Sequence, residues 1–328
     1  MASVQTVTGN CAIEDLGRTL VHEHLLVGYP GWQMDALAPR FDRREARRRA
    51  VDMLTQVREQ HGLRTLLDPC PMDLGRDVEF MAEVSQASGL RIICTTGAYF
   101  EEQGLTYTFR NLPLDDIAAI YEKEITTGVG ETGIRAGAIK VATGSHRVSD
   151  YERKLLIAAG RASVRCNVPI ITHTQEGTCG LEQIAILTAE GVPPGRILVG
   201  HSDGIDDPAY HRRIVAAGAF IGFDRLGIEV ILPDEIRLKN IASLVGDGHG
   251  DRICLSHDAC IGAWLGRPIF APETPIDPSQ IALLLPNWSP LHLFTRVIPR
   301  LRELGVSAAA IVKMTDENPA RWFGAALG

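Results

Sequence analysis

The sequence contains no run of ~18 uninterrupted apolar residues, so no membrane-spanning helix is expected. Its opening, MASVQTVTGN, has neither a basic segment nor an apolar core, which argues against a secretory signal. Positive charge is in deficit. The 33 Lys and Arg against 40 Asp and Glu give a net charge of -7, which offers no general attraction to nucleic acid or an anionic membrane. The 7 cysteines are odd in number, scattered and without C-x-x-C, a usage that fits reduced thiols in a cytoplasmic protein. There is also no break in composition, so residues 1–328 read as one domain.

The chain does have a regular alternation. Short apolar runs at 19–22, 64–68, 90–96, 136–142, 168–174, 196–202, 219–224 and 252–258 are each followed by a helix-like stretch. Eight such units without a linker predict an α/β fold of the (β/α)8 TIM-barrel type rather than an open doubly wound sheet. A short β-hairpin is expected before it at 3–15, with Gly9-Asn10 as its turn signal. The arginine-rich 40-RFDRREARRR-49 is interleaved with acids. Ala46, Ala50, Met53, Leu54 and Val57 recur at helical spacing on its other side, as on a solvated helix face. Gly128, Gly130 and Gly133 form G-x-G-x-x-G, but they follow a helical stretch and lead into a strand. That order is wrong for a dinucleotide fingerprint and right for a helix stop. The Pro-rich 268–280 reads as a loop after the eighth strand.

In such a barrel, chemistry gathers at the C-terminal strand ends. His22 and His24 of VHEH lie two apart, on one side of a strand, with Glu23 on the other. Lys140 sits between apolar neighbours on the fourth strand, where an ammonium is costly. His173, His201 and Asp258 end the fifth, sixth and eighth strands. Residues 198–204, LVGHSDG, admit two readings: a G-x-S-x-G nucleophile elbow with Ser202, or a strand ending in the metal ligand His201. The elbow has partner candidates in Asp251 and His292, yet leaves the H-x-H pair, Lys140 and His173 without a role. One metal cluster accounts for all six residues, which favours His201.

TLVHEHLL, GAIKVATG, ITHTQEG, VGHSDG, GFDRLG, LSHDAC and the terminal ENPARWF, in this order, resemble the phosphotriesterase family of the amidohydrolase superfamily, and most closely its lactonases. The resemblance implies two divalent ions, with Zn expected first and Mn, Co or Fe as alternatives. His22, His24 and Asp258 would hold one and His173 and His201 the other. Lys140, carboxylated on its ζ-nitrogen, would bridge them with a nucleophilic hydroxide, and Asp258 would take the proton. Two ions bring +4, while the carbamate, Asp258 and hydroxide return -3. The remaining +1 suits a developing oxyanion. Arg225 and Tyr99 match residues that lactonases place against substrate, and Gly204 stands where phosphotriesterases carry an acidic shuttle. The expected substrate is therefore a small lactone or ester, with weak phosphotriesterase activity, and phosphotriesterase or carboxylesterase chemistry is the alternative. The stretch 99–111 is shorter and less aromatic than in the lactonases, and its Glu101 and Glu102 make that rim more acidic. The family also implies a homodimer.

Overall fold

The computed structural model describes residues 2–104, 107–271 and 273–325. Strands β1 (Ser3–Thr6) and β2 (Gly9–Ala12) form the expected antiparallel hairpin. Its turn, however, is Val7-Thr8 and not Gly9-Asn10, because Thr6 pairs with Gly9. Val7 is buried and donates its N–H to Ile92 O at 2.8 Å, so anchorage to the barrel sets the turn position.

The barrel strands follow as β3 (Thr19–Leu20), β4 (Glu23–Val27), β5 (Thr65–Asp68), β6 (Arg91–Gly97), β7 (Ala138–Thr143) and β8 (Ile170–Thr174). After them come β9 (Ile197–Gly200), β10 (Phe220–Phe223), β11 (Ile253–Leu255) and β12 (Ala259–Trp264). Eight of these form a parallel sheet in the order β11-β10-β9-β8-β7-β6-β5-β3, and β12 pairs with β4 across the remaining seam, Ala259 opposite Glu23. The first barrel strand is thus β3 plus β4, interrupted at Val21-His22. The eighth is β11 plus β12, interrupted at Ser256–Asp258. Residues 259–264, beyond the apolar run at 252–258, are also strand, because their backbone continues the pairing with β4. Strands β7 through β11 are buried throughout, as their continuous apolar runs require of parallel strands covered on both faces.

The helix Arg43–His61 buries Ala46, Ala50, Leu54 and Val57, while Arg48 turns outward to Glu45 and Asp52. Gly128, Gly130 and Gly133, all at positive φ, turn the chain from the helix Leu114–Thr126 towards β7. Inside the barrel, Val21, Leu67, Ile93, Ala138, Ile171 and Leu198 form one layer of the core. The hairpin's Val4 and Cys11 pack against that layer from one end, together with Trp322 from the last helix. That end is closed with apolar side chains, and the polar cluster occupies the other. Among the described residues no helix is long and apolar enough to cross a membrane.

Candidate metal centre

The six residues singled out in the sequence converge at the C-terminal end of the barrel. His24 Nε2 lies 3.1 Å from Asp258 Oδ1, and His22 Nε2 lies 3.5 Å from the same oxygen. These three side chains offer ligand atoms within 4.8 Å of one another. Lys140 Nζ is 3.0 Å from His22 Nε2, and His201 Nε2 is 3.7 Å from Asp258 Oδ2. His173 joins the group through His201, with ring centroids 4.5 Å apart and the rings perpendicular. It belongs to no set of three convergent His, Cys, Asp or Glu ligands among the described residues, so its link to the cluster is this ring contact. Two members, His201 (φ 58) and Asp258 (φ 60), occupy the left-handed region that L-residues rarely adopt, a strain that persists only where the surroundings enforce it.

Asp224, which the sequence reading passed over, orients two of the four imidazoles. Its Oδ2 lies 2.8 Å from His22 Nδ1 and its Oδ1 lies 2.9 Å from His201 Nδ1, so both imidazoles keep Nε2 directed into the site. Gly200 makes room for this. A Cβ there would meet Thr172 O at 2.4 Å and Asp224 Oδ2 at 3.0 Å. The available signal was a carboxylate closing an apolar run, the same feature that marked Asp258. His173 is fixed by Gln175 Oε1, 2.9 Å from Nε2, and its Nδ1 faces the Tyr99 hydroxyl at 3.2 Å. Asp73 accepts the Tyr99 N–H and anchors that residue's backbone.

The electrostatics suit a cation. Burial, reinforced by the Arg225 guanidinium, holds His173 and His201 well below the usual imidazole range, which leaves their nitrogen lone pairs free. Although burial opposes it, Asp258 and Asp68 on two sides of His24 push that imidazole well up, so this spot favours positive charge. Burial lowers the Lys140 amine to about 8, well under the ordinary lysine range, and the neutral amine becomes accessible. Imidazole nitrogens backed by carboxylates, beside an acid that stays ionised despite its burial, make a donor set that fits divalent metal.

Ser202 is buried and its hydroxyl donates to Val199 O at 2.9 Å. The proposed partners are engaged elsewhere: His292 Nε2 lies 2.6 Å from Asp234, and Asp251 pairs with Arg321. The nucleophile-elbow geometry does not form. Arg225 lies beside the cluster with Nε 3.1 Å from Asp258 Oδ2. Above it opens a cavity of about 350 Å3 walled by Tyr29, Leu74, Ile228, Trp264, Phe270 and Trp288. A wider surface cleft of about 650 Å3 beside Trp32 and Arg76 contains none of these ligands.

The sequence profile of the phosphotriesterase family matches residues 2–323. The chain belongs to the phosphotriesterase family. An aryldialkylphosphatase of Saccharolobus solfataricus is 35% identical over 322 residues, covering 97% of this chain and 98% of that protein. The organophosphorus hydrolase of Deinococcus radiodurans is 41% identical, with a TM-score of 0.91 over 98% of this chain and 97% of its own. A structure from the engineering of organophosphate hydrolysis in a weak promiscuous lactonase template is 39% identical, with a TM-score of 0.90 over 98% and 100%. The phosphotriesterase family is one of metal-dependent hydrolases, and this member is a hydrolase with a histidine- and aspartate-rich centre able to hold metal.

Proposed function

We propose that the protein is a binuclear-metal hydrolase that prefers lactones. His22, His24 and Asp258 would hold one ion, His173 and His201 the second, and a carboxylated Lys140 would join them. Bound there, divalent metal (zinc foremost) supplies Lewis acidity and a nucleophilic water at neutral pH. The neutral amine of Lys140 is the form that takes up CO2, which supports its modification. Asp258 accepts the proton released as the carbonyl is attacked, since its carboxylate is held ionised beside the reacting position. Tyr99, whose hydroxyl sits against His173, steadies the substrate oxygen from the third strand.

The observation that carries the lactone assignment is the ion pair of Arg225 with Asp258. A guanidinium in this position stabilises negative charge on a ring-opened carboxylate but relays no proton, because arginine stays protonated. Gly204 adds to this. A Cβ there would lie 3.0 Å from Gly177 N, so any side chain at this position crowds the neighbouring backbone. The apolar wall favours a neutral lactone with an apolar substituent. Aryldialkylphosphatase activity is the second reading, favoured by the Saccharolobus relative.

The test is metal analysis beside a hydrolysis panel of lactones, phosphotriesters and aryl esters. We expect kcat/KM for lactones to exceed that for phosphotriesters by at least about tenfold, roughly 1.4 kcal/mol of transition-state preference. Substituting Arg225→His should narrow the gap by lowering lactone turnover. Better turnover of paraoxon-like triesters by the unmodified protein overturns the lactone reading and leaves the hydrolase.

A further inference from the structure

The middle residue of His22-Glu23-His24 has no part in that chemistry, yet Glu23 is fully buried. It lies at the seam where the first and eighth strands are both interrupted. There the backbone ladder is lost between β11 and β12, and every N–H in the gap needs another acceptor. Ser256 N–H and Asp258 N–H find the backbone carbonyls of Phe223 and His22, and Glu23 supplies the acceptor for His257 and for Ala259 at the start of β12. Its Oε1 accepts from the Ser256 hydroxyl at 3.0 Å, from His257 N–H at 2.9 Å and from His257 Nδ1 at 2.6 Å. Its Oε2 accepts from Ala259 N–H at 3.0 Å. Thus the backbone N–H groups on both sides of Asp258 end on one carboxylate, and Asp258 between them has φ 60. Ser256 closes the loop, because its Oγ accepts the N–H of His22 at 3.0 Å, while Asp258 N–H donates to His22 O at 2.9 Å.

We propose that Glu23 is a positioning residue that replaces the missing ladder and holds Asp258 in its left-handed conformation against His22 and His24. The side chain of Asp258 meets His24 and Arg225 only while residues 257 and 259 stay pinned. The same carboxylate reaches the substrate cavity. His257 accepts Leu293 N–H at Nε2 (3.0 Å), which places the proton on Nδ1, the atom donating to Glu23. The His257 carbonyl in turn accepts the Trp288 indole N–H at 2.7 Å, and Trp288 is part of the cavity wall. Metal floor and cavity wall therefore share one anchor.

Glu23→Gln keeps the size of the side chain but turns one acceptor into a donor, facing either Ala259 N–H or the three donors at Oε1. The inference rests on the metal-centre reading above, and zinc affinity, measured by equilibrium competition with a chromophoric chelator, is the readout. Leu156→Ala, a core truncation in the helix Asp150–Cys166 behind β7, serves as a control for general destabilisation, with the Tm of each apo protein recorded. Glu23→Gln should weaken zinc binding at least about tenfold, whereas Leu156→Ala should leave it within about twofold at a comparable loss of Tm. If Glu23→Gln does not fold, Ser256→Ala removes one donor to Glu23 and the acceptor of His22 N–H, and should weaken zinc binding measurably more than Leu156→Ala. Equal affinity losses in the seam variant and the control overturn the proposal. Wild-type protein that takes up no zinc overturns both this proposal and the metal centre.

Discussion

The floor and the mouth of the cavity are built on opposite principles. At the floor, His22, Lys140, His173, His201 and Asp224 are almost entirely inaccessible, and Asp224 alone fixes two imidazoles and the His201 backbone. At the mouth, Val230 is 75% exposed and Phe270 46% exposed, both on loops, with Phe270 held mainly by ring contacts to Trp264 and Trp288. A polar group buried without a partner is costly, so each floor residue is specified by its neighbours. An exposed apolar group loses little when it is changed. The contrast assigns reactivity to the floor and substrate selection to the mouth.

The most damaging way to test the contrast is to empty the floor. A strong chelator should abolish turnover and added divalent metal should restore it. His201→Ala should be inactive to the detection limit of a lactone assay, while Ser202→Ala stays within about threefold of wild type, since that hydroxyl only caps Val199 O. Stoichiometric labelling of Ser202 by a fluorophosphonate would contradict this. Next comes the bridge. Lys140→Ala should lose the metal pair by elemental analysis, and short carboxylic acids should partly rescue activity by filling the space of a carbamate. An unmodified Lys140 in a high-resolution map of active, metal-loaded protein refutes the bridge. Asp224→Asn should have an intermediate effect. It keeps the shape but weakens the orientation of His22 and His201, and metal affinity should fall roughly 10–100-fold. At the mouth the effect should be smallest. Phe270→Ala should raise KM for an apolar-substituted lactone by about fivefold, roughly 1 kcal/mol of lost burial, with kcat unchanged. A large fall in kcat there would mean that the two regions are not separable.

Much of the floor was legible in the sequence because parallel strands buried on both faces tolerate polar residues only with a reason. His173 and His201 stand out against the apolar runs that precede them, and Lys140 stands out within its own. Asp224 was read past because a carboxylate after an apolar run equally well begins a helix, and only the distance to His22 tells the two apart. The eighth strand was cut short for a related reason. Ser256-His257-Asp258 looks like the end of an apolar run, whereas the structure shows a gap after which Ala259–Trp264 pair with β4. The turn of the hairpin moved because Val7 is anchored by Ile92, a contact no local signal announces. The mouth was least legible. Trp264, the last residue of β12, meets Trp288 of a loop whose course depends on tertiary packing.

The seam between the first and eighth strands also bears on how the protein comes into being. Glu23 and Ala259, whose pairing closes the barrel, are 236 residues apart in a chain of 328, so the loop they close spans most of the barrel. Closing so long a loop gives little return until the intervening strands are in place, and such contacts form late. His22 and His24 emerge early in synthesis and Asp258 near its end, so the set of three exists only in a completed barrel. A nascent or truncated chain ending before residue 258 has the imidazoles without the acid and the floor without its clasp. A metal ion held by this set would therefore be captured late in maturation, by a nearly finished protein.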